Sequence, residues 1–482
     1  MPLILPGNVG SATAATGFNV DNSCRFDGSS SYLQKTYASG QNKTFSISTW
    51  IKRSSVGDAG AIWSGYHNAT NYLTLAFKDD DALRFQNVSA GVNMNFTTNR
   101  LFRDVSAWMH ILAIVDTTDG TAGDRQQIFI NGVRETSFST STAYAEDAAA
   151  ELGATDKENI VGRHGSGDDY FDGYMAEHVF IDGLALAADQ FGEFDSDNGI
   201  WKPIDVSGLT FGTNGYYLDF KASGNLGNDA NGGTDLSENG LAATDQSIDT
   251  CTNNFATLNS LAIGSFPVLS EGNLNVRSNS DAEYGNIIGT FSTSSSGKWY
   301  YEIKVISKTG TSPWGGLIVD DDPKAGIGAN GGANSAGGTS FSAPTFAFQS
   351  NGKVSQGGSE GSTYTSFATG DIISFSIDMD NGACYIAKNG TYMNSGNPAS
   401  AGSKTGAIIT WTAGSVSGFL PAISVYGAGT STGSWSEVSM NFGSPAFAIS
   451  SGNTDGDGYG NFEYAVPSGY YSLNTKNLAE YG

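Results

Sequence analysis

The residue types that carry most enzyme chemistry are few in this sequence. Its 482 residues include four histidines: His67, His110, His164 and His178. No two of them have the spacing of a metal-ligand pair. Residues 429–433 fit the letters of a nucleophile elbow and residues 326–331 those of a dinucleotide fingerprint, but neither string stands between a predicted strand and a predicted helix. The sequence therefore predicts that the protein is not an enzyme.

The 48 acidic residues leave one catalytic alternative open. A glycosidase needs two carboxyl groups about 5 to 10 Å apart across a cleft, and a sequence does not show that distance. The acidic runs at 79–81 and 168–169 also fit solvated turns, which is the interpretation we favour. A polysaccharide-degrading enzyme is therefore the alternative to a binding protein.

One segment near the C-terminus has the composition of a cation site. Residues 453–458 read Asn-Thr-Asp-Gly-Asp-Gly and are followed by Glu463. Alternating oxygen ligands with glycine at the sharp turn are typical of calcium loops. The segment departs from the EF-hand pattern because its first position is asparagine and its glutamate comes one residue early. Asn453, Asp455, Asp457 and Glu463 are the candidate calcium ligands, and a plain Asp/Gly turn without a bound cofactor is the interpretation we favour.

Two further segments have the composition of sugar-binding loops, in which aromatic rings lie beside hydrogen-bonding groups. The first contains Trp63, Tyr66 and His67. The second contains Trp314, Asp320, Asp321 and Asp322. We predict glycan or partner contacts at these residues. The alternative is that the aromatic side chains belong to the core, since large aromatic residues are mostly buried.

The elements that position these residues are predicted to be strands. Residues 370–390 read as a hairpin, whose first strand alternates apolar and polar side chains as a half-buried strand does. Asn381-Gly382 closes it as a predicted type I′ turn, and Asn389-Gly390 predicts a second turn with a third strand after it. Residues 109–116 and 126–130 repeat this plan before Asn131-Gly132. Two sandwiches of similar design are expected.

Composition agrees with an all-β fold and excludes some partners. Glycine at 64 residues and aromatics at 12% are typical of β proteins with many tight turns. A formal charge of −24 argues against nucleic acid or an anionic membrane as partner. No apolar run approaches the roughly 20 residues of a spanning helix, so no membrane insertion is expected. The N-terminus lacks the basic and apolar regions of a signal peptide, so synthesis in a cytoplasm is expected.

The order of these features predicts five segments. They are an N-terminal arm (1–16), a sandwich (17–205), an ordered extended connector (206–261), a second sandwich (262–448) and a C-terminal tail (449–482). Residues 184–190 give the only convincing short helix. The predicted fold is therefore all-β, with two jelly-roll β-sandwiches joined by the connector.

Both sandwiches resemble known families. The Ser-Thr-Trp-Ile strand at 48–51, Trp-Met-His at 108–110, Ile-Asn-Gly at 130–132 and Phe-Asp-Gly-Tyr at 171–174 follow the order of laminin-G-like, concanavalin-A-like jelly rolls. The strand at 297–305, the 370–390 hairpin and the strands at 419–426 and 438–443 closely resemble a SPRY (B30.2-like) domain. The resemblances cover residues 17–205 and 262–448. They imply recognition modules whose loops bind a partner.

The pairing of these two domains around the connector resembles virion structural proteins of marine bacteriophages of the cyanophage type. This resemblance implies an exterior virion protein: a tail fibre, a spike or a capsid decoration. Its partners would be other virion proteins and a host cell-surface glycan, bound by adhesion. A homo-oligomer, with a trimer as the expected state, would add avidity. A purely structural capsid cement protein is a further alternative.

Overall fold

The computed structural model describes residues 17–37, 40–152, 157–279, 281–320, 346–356, 359–428 and 435–482. The predicted arm at 1–16 lies outside these residues. The described chain forms two compact units, one ending at Thr252 and one beginning at Asn253. Each unit is a sandwich of mainly antiparallel sheets, which confirms the all-β prediction with two jelly rolls.

The first unit is built from eighteen strands in the described part of the chain. In chain order they are β1 (Ser23–Asp27), β2 (Tyr32–Thr36), β3 (Thr44–Arg53), β4 (Gly60–Asn68), β5 (Asn71–Phe77), β6 (Ala82–Ser89), β7 (Val92–Leu101), β8 (Met109–Asp116), β9 (Gln126–Ile130), β10 (Val133–Arg134), β11 (Phe138–Thr142), β12 (Glu158–Val161), β13 (Asp172–Asp182), β14 (Gly192–Phe194), β15 (Trp201–Pro203), β16 (Tyr216–Leu218), β17 (Ser237–Asn239) and β18 (Gln246–Ser247).

These strands form two large sheets and one small hairpin. One sheet has the order β10-β9-β8-β3-β13-β1-β18 with β16 beside β13, and the other has the order β11-β7-β6-β5-β4-β12-β2-β17. The apolar side chains that alternate along the strands fill the space between the sheets. The predicted strands at 109–116 and 126–130 are confirmed as β8 and β9. The turn after β9 is confirmed as type I′, since Asn131 (φ 48°) and Gly132 (φ 74°) both have positive φ.

The segment that the sequence presents as a connector is divided between the units. Its strand β16 pairs with β13, β17 pairs with β2 and β18 pairs with β1. Residues 206–252 are thus part of the first unit, and residues 253–261 are part of the second. β18 is the last strand of one sheet of the first sandwich and β17 is the last strand of the other, so these short strands extend both sheets.

The second unit has sixteen strands and one α-helix in the described residues. They are β19 (Leu258–Ile263), β20 (Pro267–Ser270), β21 (Asn275–Ser278), β22 (Asp281–Gly289), β23 (Lys298–Ser307), β24 (Trp314–Val319), β25 (Phe346–Gln349), β26 (Lys353–Gln356), β27 (Ser359–Thr363), β28 (Ile372–Asp378), β29 (Ala383–Lys388), β30 (Thr391–Tyr392), β31 (Ile409–Thr410), β32 (Phe419–Ala428), β33 (Glu437–Asn441), β34 (Tyr471–Ser472) and α1 (Thr475–Tyr481).

The predicted hairpin of the second unit is confirmed as β28 and β29, but the predicted type I′ turn between them is wrong. Asp378 pairs with Ala383, so the loop holds four residues rather than two. Only Gly382 (φ 70°) of its last two residues has positive φ, and Asn381 instead donates its backbone N–H to the carboxylate of Asp378 (3.0 Å). The buried Asp378 caps the turn and removes the need for a left-handed asparagine. The next turn, Asn389-Gly390, is type I′ as predicted, and β30 follows it.

Strand β28 is buried on both faces, whereas its alternating pattern predicts one exposed face. The C-terminal segment covers the polar face, where Phe462 and Tyr470 pack on Tyr300 of the neighbouring strand β23. The carboxylate of Glu302 accepts hydrogen bonds from the backbone N–H groups of Glu463 (3.0 Å) and Tyr464 (2.9 Å). The tail is therefore an integral layer of the second unit.

The prediction of a single short helix at 184–190 is wrong, both in the length of that helix and in the number of helices. Within 184–190 only a 3-10 turn forms, at Ala188–Gln190. A regular α-helix, α1, forms instead at the C-terminus, where the side chain of Asn474 accepts the N–H of Asn477 as an N-cap. Among the helices in the described residues, none has the length and apolarity needed to cross a membrane.

Candidate functional site

The first unit contains an open polar cleft of about 440 Å³. Its volume lies in the range of small-molecule sites, which is roughly 300–1,000 Å³. The lining residues are Gln34, Lys35, Thr36, Glu158, Gly212, Thr213, Asn214, Gly215, Asn231, Gly233, Thr234, Asp235 and Ser237. Almost every side chain here is a hydroxyl, an amide or a charged group. Such a surface suits a ligand that is itself rich in hydrogen-bonding groups.

One wall of the cleft is the edge formed by β2, β12 and β17. Leu33 and Tyr37 point into the core, so the strand alternation places Lys35 on the same inward face at the end of the sandwich. Glu158 opens the neighbouring strand β12, where it pairs with Thr36. Strand regularity therefore brings a cation and a carboxylate to the same edge.

The opposite wall is the loop at 212–215, which a buried carboxylate holds in place. Asp182 accepts hydrogen bonds from the backbone N–H of Asn214 (3.1 Å) and from its side-chain amide (2.9 Å). Gly212 has φ 79°, and a Cβ there would lie 1.9 Å from the carbonyl oxygen of Asp182. The loop can therefore pass this close only with glycine at that position.

The third wall is the loop at 225–235, organised by Asp229. Its Oδ1 accepts the backbone N–H groups of Tyr217 (3.0 Å) and Asn231 (3.1 Å). The backbone N–H of Asp229 in turn donates to Asp235 (3.0 Å), and the amide of Asn225 donates to the same carboxylate (2.8 Å). These hydrogen bonds lower the pKa of Asp235, which keeps it ionised.

Lys35, which lines the cleft, and Asp229, which lies behind the 225–235 loop, form no ion pair in the described residues. The Lys35 ammonium forms neither a hydrogen bond nor an ion pair there; it lies 5.8 Å from the ring centre of Tyr216. Desolvation by burial lowers its pKa, while the charges of Asp229 and Asp235 raise it. Asp229 is 3% exposed, and its Oδ2 has no donor among the described side chains and backbone groups. An unpaired buried carboxylate oxygen is costly, and this one lies beneath the loop, since Asp229 is not among the residues that line the cleft.

A hydrogen-bonded aromatic floor lies behind the cleft. The hydroxyl of Tyr216 donates to Asn159 (2.9 Å) and accepts from the indole N–H of Trp63 (3.2 Å). Asn159 donates in turn to the hydroxyl of Tyr37. These side chains are fully or almost fully buried, so they fix the base of the cleft and do not contact a ligand.

The first segment predicted to be a glycan-binding loop, which contains Trp63, Tyr66 and His67, is a strand, and only part of it is exposed. All three residues lie in strand β4. Trp63 is fully buried and stacks on Phe180 with 5.7 Å between ring centres, so it is a core residue. Tyr66 is half-buried on the outer sheet face, where His164 packs edge-on against its ring, and His67 is exposed. The strand alternation separates these side chains onto different faces.

The second predicted glycan loop is also divided. Trp314 begins strand β24, is 8% exposed and packs against Tyr284. Asp320 follows the far end of the same strand and accepts hydrogen bonds from the hydroxyls of Ser292 and Ser417. The structure does not bring the tryptophan and Asp320 together. Asp321 and Asp322 lie outside the described residues.

Three of the four predicted calcium ligands accept hydrogen bonds from protein donors, and the fourth, Asn453, is a donor itself. Asp455 is 6% exposed and accepts from backbone or side-chain donors on both oxygens. Asp457 accepts from the hydroxyl of Tyr481 (2.8 Å), and Glu463 accepts from Ser450. Asn453 donates its amide to backbone carbonyls. These oxygens are not directed to a common point, and no group of three or more His, Cys, Asp or Glu in the described ranges is arranged to hold a metal ion.

Carboxyl groups with a raised pKa lie away from the cleft. Burial raises the pKa of Glu177 to about 7 and raises that of Glu302. The Glu177 carboxylate accepts from Tyr217, and Glu302 holds the C-terminal segment, so both have structural partners. The buried histidines are likewise neutral, since burial lowers the pKa of His110 and of His178 to about 3.

Sequence reasoning missed the cleft because its walls come from three distant stretches. The missed residues include Lys35, Glu158, Asn214, Asn231 and Asp235. The available signal was the run Asn-Leu-Gly-Asn-Asp-Ala-Asn-Gly-Gly-Thr-Asp at 225–235. Its density of Asp, Asn and Gly indicates a tightly organised loop.

Comparison with known protein families gives two matches. Residues 27–190 match a laminin G model described as the concanavalin A-like lectin/glucanases superfamily. Residues 298–438 match the SPRY domain. A search of curated proteins found no match.

Several solved structures align with parts of this chain. The SPRY domain of human HERC1 is 11% identical, with a TM-score of 0.28, over 38% of this chain and 96% of that chain. A protein from Bacteroides ovatus described as carbohydrate binding is 18% identical, with a TM-score of 0.34, over 46% and 59%. Domain 4 of an arabinanase from Geobacillus stearothermophilus, solved with arabinotriose, is 14% identical, with a TM-score of 0.23, over 30% and 64%.

The two family matches fall one in each unit, on the strands that build each sandwich. The chain therefore contains a concanavalin A-like domain of the laminin G type followed by a SPRY domain.

Proposed function

We propose that this protein is an adhesion protein that binds a glycan in the polar cleft of its concanavalin A-like unit. The observation that carries the proposal is the lining of the cleft, where hydroxyl, amide and charged side chains surround about 440 Å³. Sugars are recognised through hydrogen bonds from such groups on a rigid scaffold. The match of this unit to a superfamily of lectins and glucanases supports the same ligand class.

Binding is favoured over hydrolysis by the state of the cleft carboxylates. A glycosidase requires one carboxylic acid that stays protonated near neutral pH, which means a raised pKa. Asp235 has a lowered pKa instead, because backbone and amide donors stabilise its ionised form. Burial raises the pKa of three carboxyl groups in the described residues, Asp172, Glu177 and Glu302, and none of them lines the cleft.

We also propose that the protein acts on the exterior of a bacteriophage virion as a fibre, spike or head decoration. The support is the resemblance of its domain pairing to such proteins. Weak single sites would then gain avidity from copy number, with a homo-trimer as the expected state. Light scattering of the purified chain tests the trimer. Antibody labelling of intact particles tests the location, and its absence from particles would contradict the virion role.

Glycan binding is tested with the full chain on an array of host-type polysaccharides. The variant Ser237→Trp fills the cleft from an exposed strand position, and Thr121→Trp places the same side chain at an exposed site away from it. We expect binding by the wild type and by Thr121→Trp and loss in Ser237→Trp. A reducing-sugar assay on the bound polysaccharide is expected to show no cleavage. Cleavage that disappears in Asp235→Asn or Glu158→Gln would establish the enzyme alternative instead.

A further inference from the structure

A buried ion pair in the first unit joins two segments that are far apart in the chain. The Lys52 ammonium, on strand β3, lies 2.6 Å from Oδ2 of Asp249, which follows strand β18. The two side chains are 1% and 2% exposed. Because a carboxyl C–O bond is about 1.2 Å long, the nitrogen lies within about 4 Å of the carboxylate carbon. An amine and a carboxyl carbon are therefore held close to the reaction distance of about 3–3.5 Å.

Neighbouring side chains fix the orientation of this pair. The ring centre of Tyr174, the cross-strand neighbour of Lys52, lies 5.5 Å from the ammonium. The indole N–H of Trp108 donates to the other oxygen of Asp249, Oδ1 (2.9 Å). The backbone N–H of Asp249 donates to the hydroxyl of Ser247 (3.1 Å). One carboxylate oxygen thus faces a donor that can polarise a carbonyl group, and the other faces the lysine.

The burial of this pair favours a neutral product. Two charges removed from water carry a desolvation penalty, and an amide in their place carries no charge. Burial lowers the pKa of Lys52, which favours the nucleophilic amine, while the charges of Asp249 and Asp104 act in the opposite direction. Groups held in a reactive orientation reach effective concentrations of about 10⁵–10⁸ M. The fold therefore supplies the proximity that an uncatalysed condensation needs.

We propose that Lys52 and Asp249 condense to form an intramolecular isopeptide bond. One ammonium proton passes to Oδ2 along the hydrogen bond, and the neutral Nζ then attacks the carboxyl carbon Cγ. The negative charge that forms on Oδ1 accepts the N–H of Trp108. A second proton moves from the nitrogen to Oδ2, the Cγ–Oδ2 bond breaks, and Oδ2 leaves as water. The third proton stays on the amide nitrogen, so the step needs no oxidant, reductant or added reagent.

The bond would act as a covalent staple of the first unit. It joins the interior strand β3 to the chain that follows the edge strand β18, across a separation of 197 residues. A cross-link over such a distance restricts the unfolded chain as a disulfide does. An amide also withstands a reducing environment, in which the cysteines at 24, 251 and 384 stay free thiols. This inference goes beyond glycan binding, because neither Lys52 nor Asp249 lines the cleft.

The test is intact-mass spectrometry of the full chain, denatured after incubation at neutral pH. We expect the wild type to weigh one water molecule less than its sequence requires, and proteolysis to release a branched peptide that contains both Lys52 and Asp249. Lys52→Arg keeps the positive charge, but its guanidinium stays protonated and does not attack, so this variant should have its full calculated mass. The matched control is Lys43→Arg, at the exposed ion pair with Asp147, which should keep the deficit of one water.

Each outcome either supports or overturns the isopeptide bond. A wild-type chain of full calculated mass would mean that Lys52 and Asp249 remain an ordinary ion pair, and the inference would be wrong. A deficit that persists in Lys52→Arg, or that peptide mapping assigns to a succinimide at an Asp-Gly pair, would overturn it as well. If Lys52→Arg does not fold, the presence or absence of the branched peptide in the wild type decides. Glycan binding is measured separately, so the two proposals can fail independently.

Discussion

We predict that the stability of the second unit depends on the carboxylate of Asp455, which anchors the C-terminal segment (449–482). Asp455 is 6% exposed and accepts five hydrogen bonds from described donors. Three of them, from the backbone and hydroxyl of Ser472 and the amide of Asn477, reach the same oxygen, Oδ2. Both donor residues are fully buried. Asp455→Asn turns that oxygen into an amide donor, so these donors lose their acceptor.

The expected cost follows from those contacts. Hydrogen bonds to a charged group are worth about 1.5–3 kcal/mol each, and the two N–H donors to Oδ2 have no alternative orientation. We therefore expect a loss of about 3–5 kcal/mol. A domain of this size loses about 2–4 °C of Tm per kcal/mol, so the transition of the second unit should fall by at least about 6 °C.

Scanning calorimetry of the full chain measures the shift, and hydrogen exchange of peptides from 253–482 assigns it to the second unit. Asp457→Asn is the matched control, because Asp457 is exposed and its carboxylate accepts only the Tyr481 hydroxyl among the described groups. It should change stability by no more than about 0.5 kcal/mol. A Tm for Asp455→Asn within 1 °C of the wild type would refute the reasoning.

The same experiment tests the calcium hypothesis for this segment. A carboxylate has about four lone-pair sites, and the donors around Asp455 occupy them. We expect EDTA to leave the Tm of the wild type unchanged. A rise in Tm with calcium that is present in the wild type and absent in Asp455→Asn would make Asp455 a calcium ligand.

Three further predictions concern the first unit. Trp63→Ala should lower the free energy of unfolding, measured by urea denaturation, by about 3–5 kcal/mol, since the side chain is fully buried. A loss as small as that of a surface substitution would support a ligand-contact role for Trp63 instead. Gly132→Ala should lower the Tm by several degrees, because φ is 74° and the new Cβ would lie 2.3 Å from the ring of Trp201; an unchanged Tm would contradict the turn assignment. Stability should fall as pH rises from about 4.5 to 7, because burial raises the pKa of folded Glu177 from 4.5 to about 7 while the unfolded form ionises first. In Glu177→Gln the free energy of unfolding, measured by urea denaturation, should depend less on pH across that range. A pH dependence equal to that of the wild type would refute the assignment.

Both sandwiches use the same device to cover a sheet. In the first unit Phe191, Trp201 and Phe211 pack on the outer face of the sheet that contains β3, β8 and β13. In the second unit the segment after β33 covers the outer face of β23 and β28. Chain segments outside each jelly roll thus remove one sheet face from solvent. The loop at 212–215, which follows the covering segment of the first unit, lines the polar cleft.

Local features were predictable because they depend on neighbouring residues. The alternation of apolar and polar residues predicted the hairpin strands β28 and β29. The Asn-Gly pairs predicted the turns at 131–132 and 389–390, both of which are type I′. The turn at 379–382 was not predictable from its Asn-Gly pair, since the carboxylate of Asp378 stabilises a different loop. Helix α1 was missed because seven residues give too short a pattern to recognise.

The amino-acid sequence by itself determined the all-β class, the two jelly rolls and the positions of most strands, because period-2 alternation and turn chemistry act within a few residues. Only the tertiary structure decided which face of each strand is covered and which polar groups meet. Trp63 is buried while Lys35 lines a cleft, and Asp235 lines the same cleft from about two hundred residues further along the chain. Contacts over such separations depend on how sheets and covering segments pack, and the alternation of one strand carries no information about that.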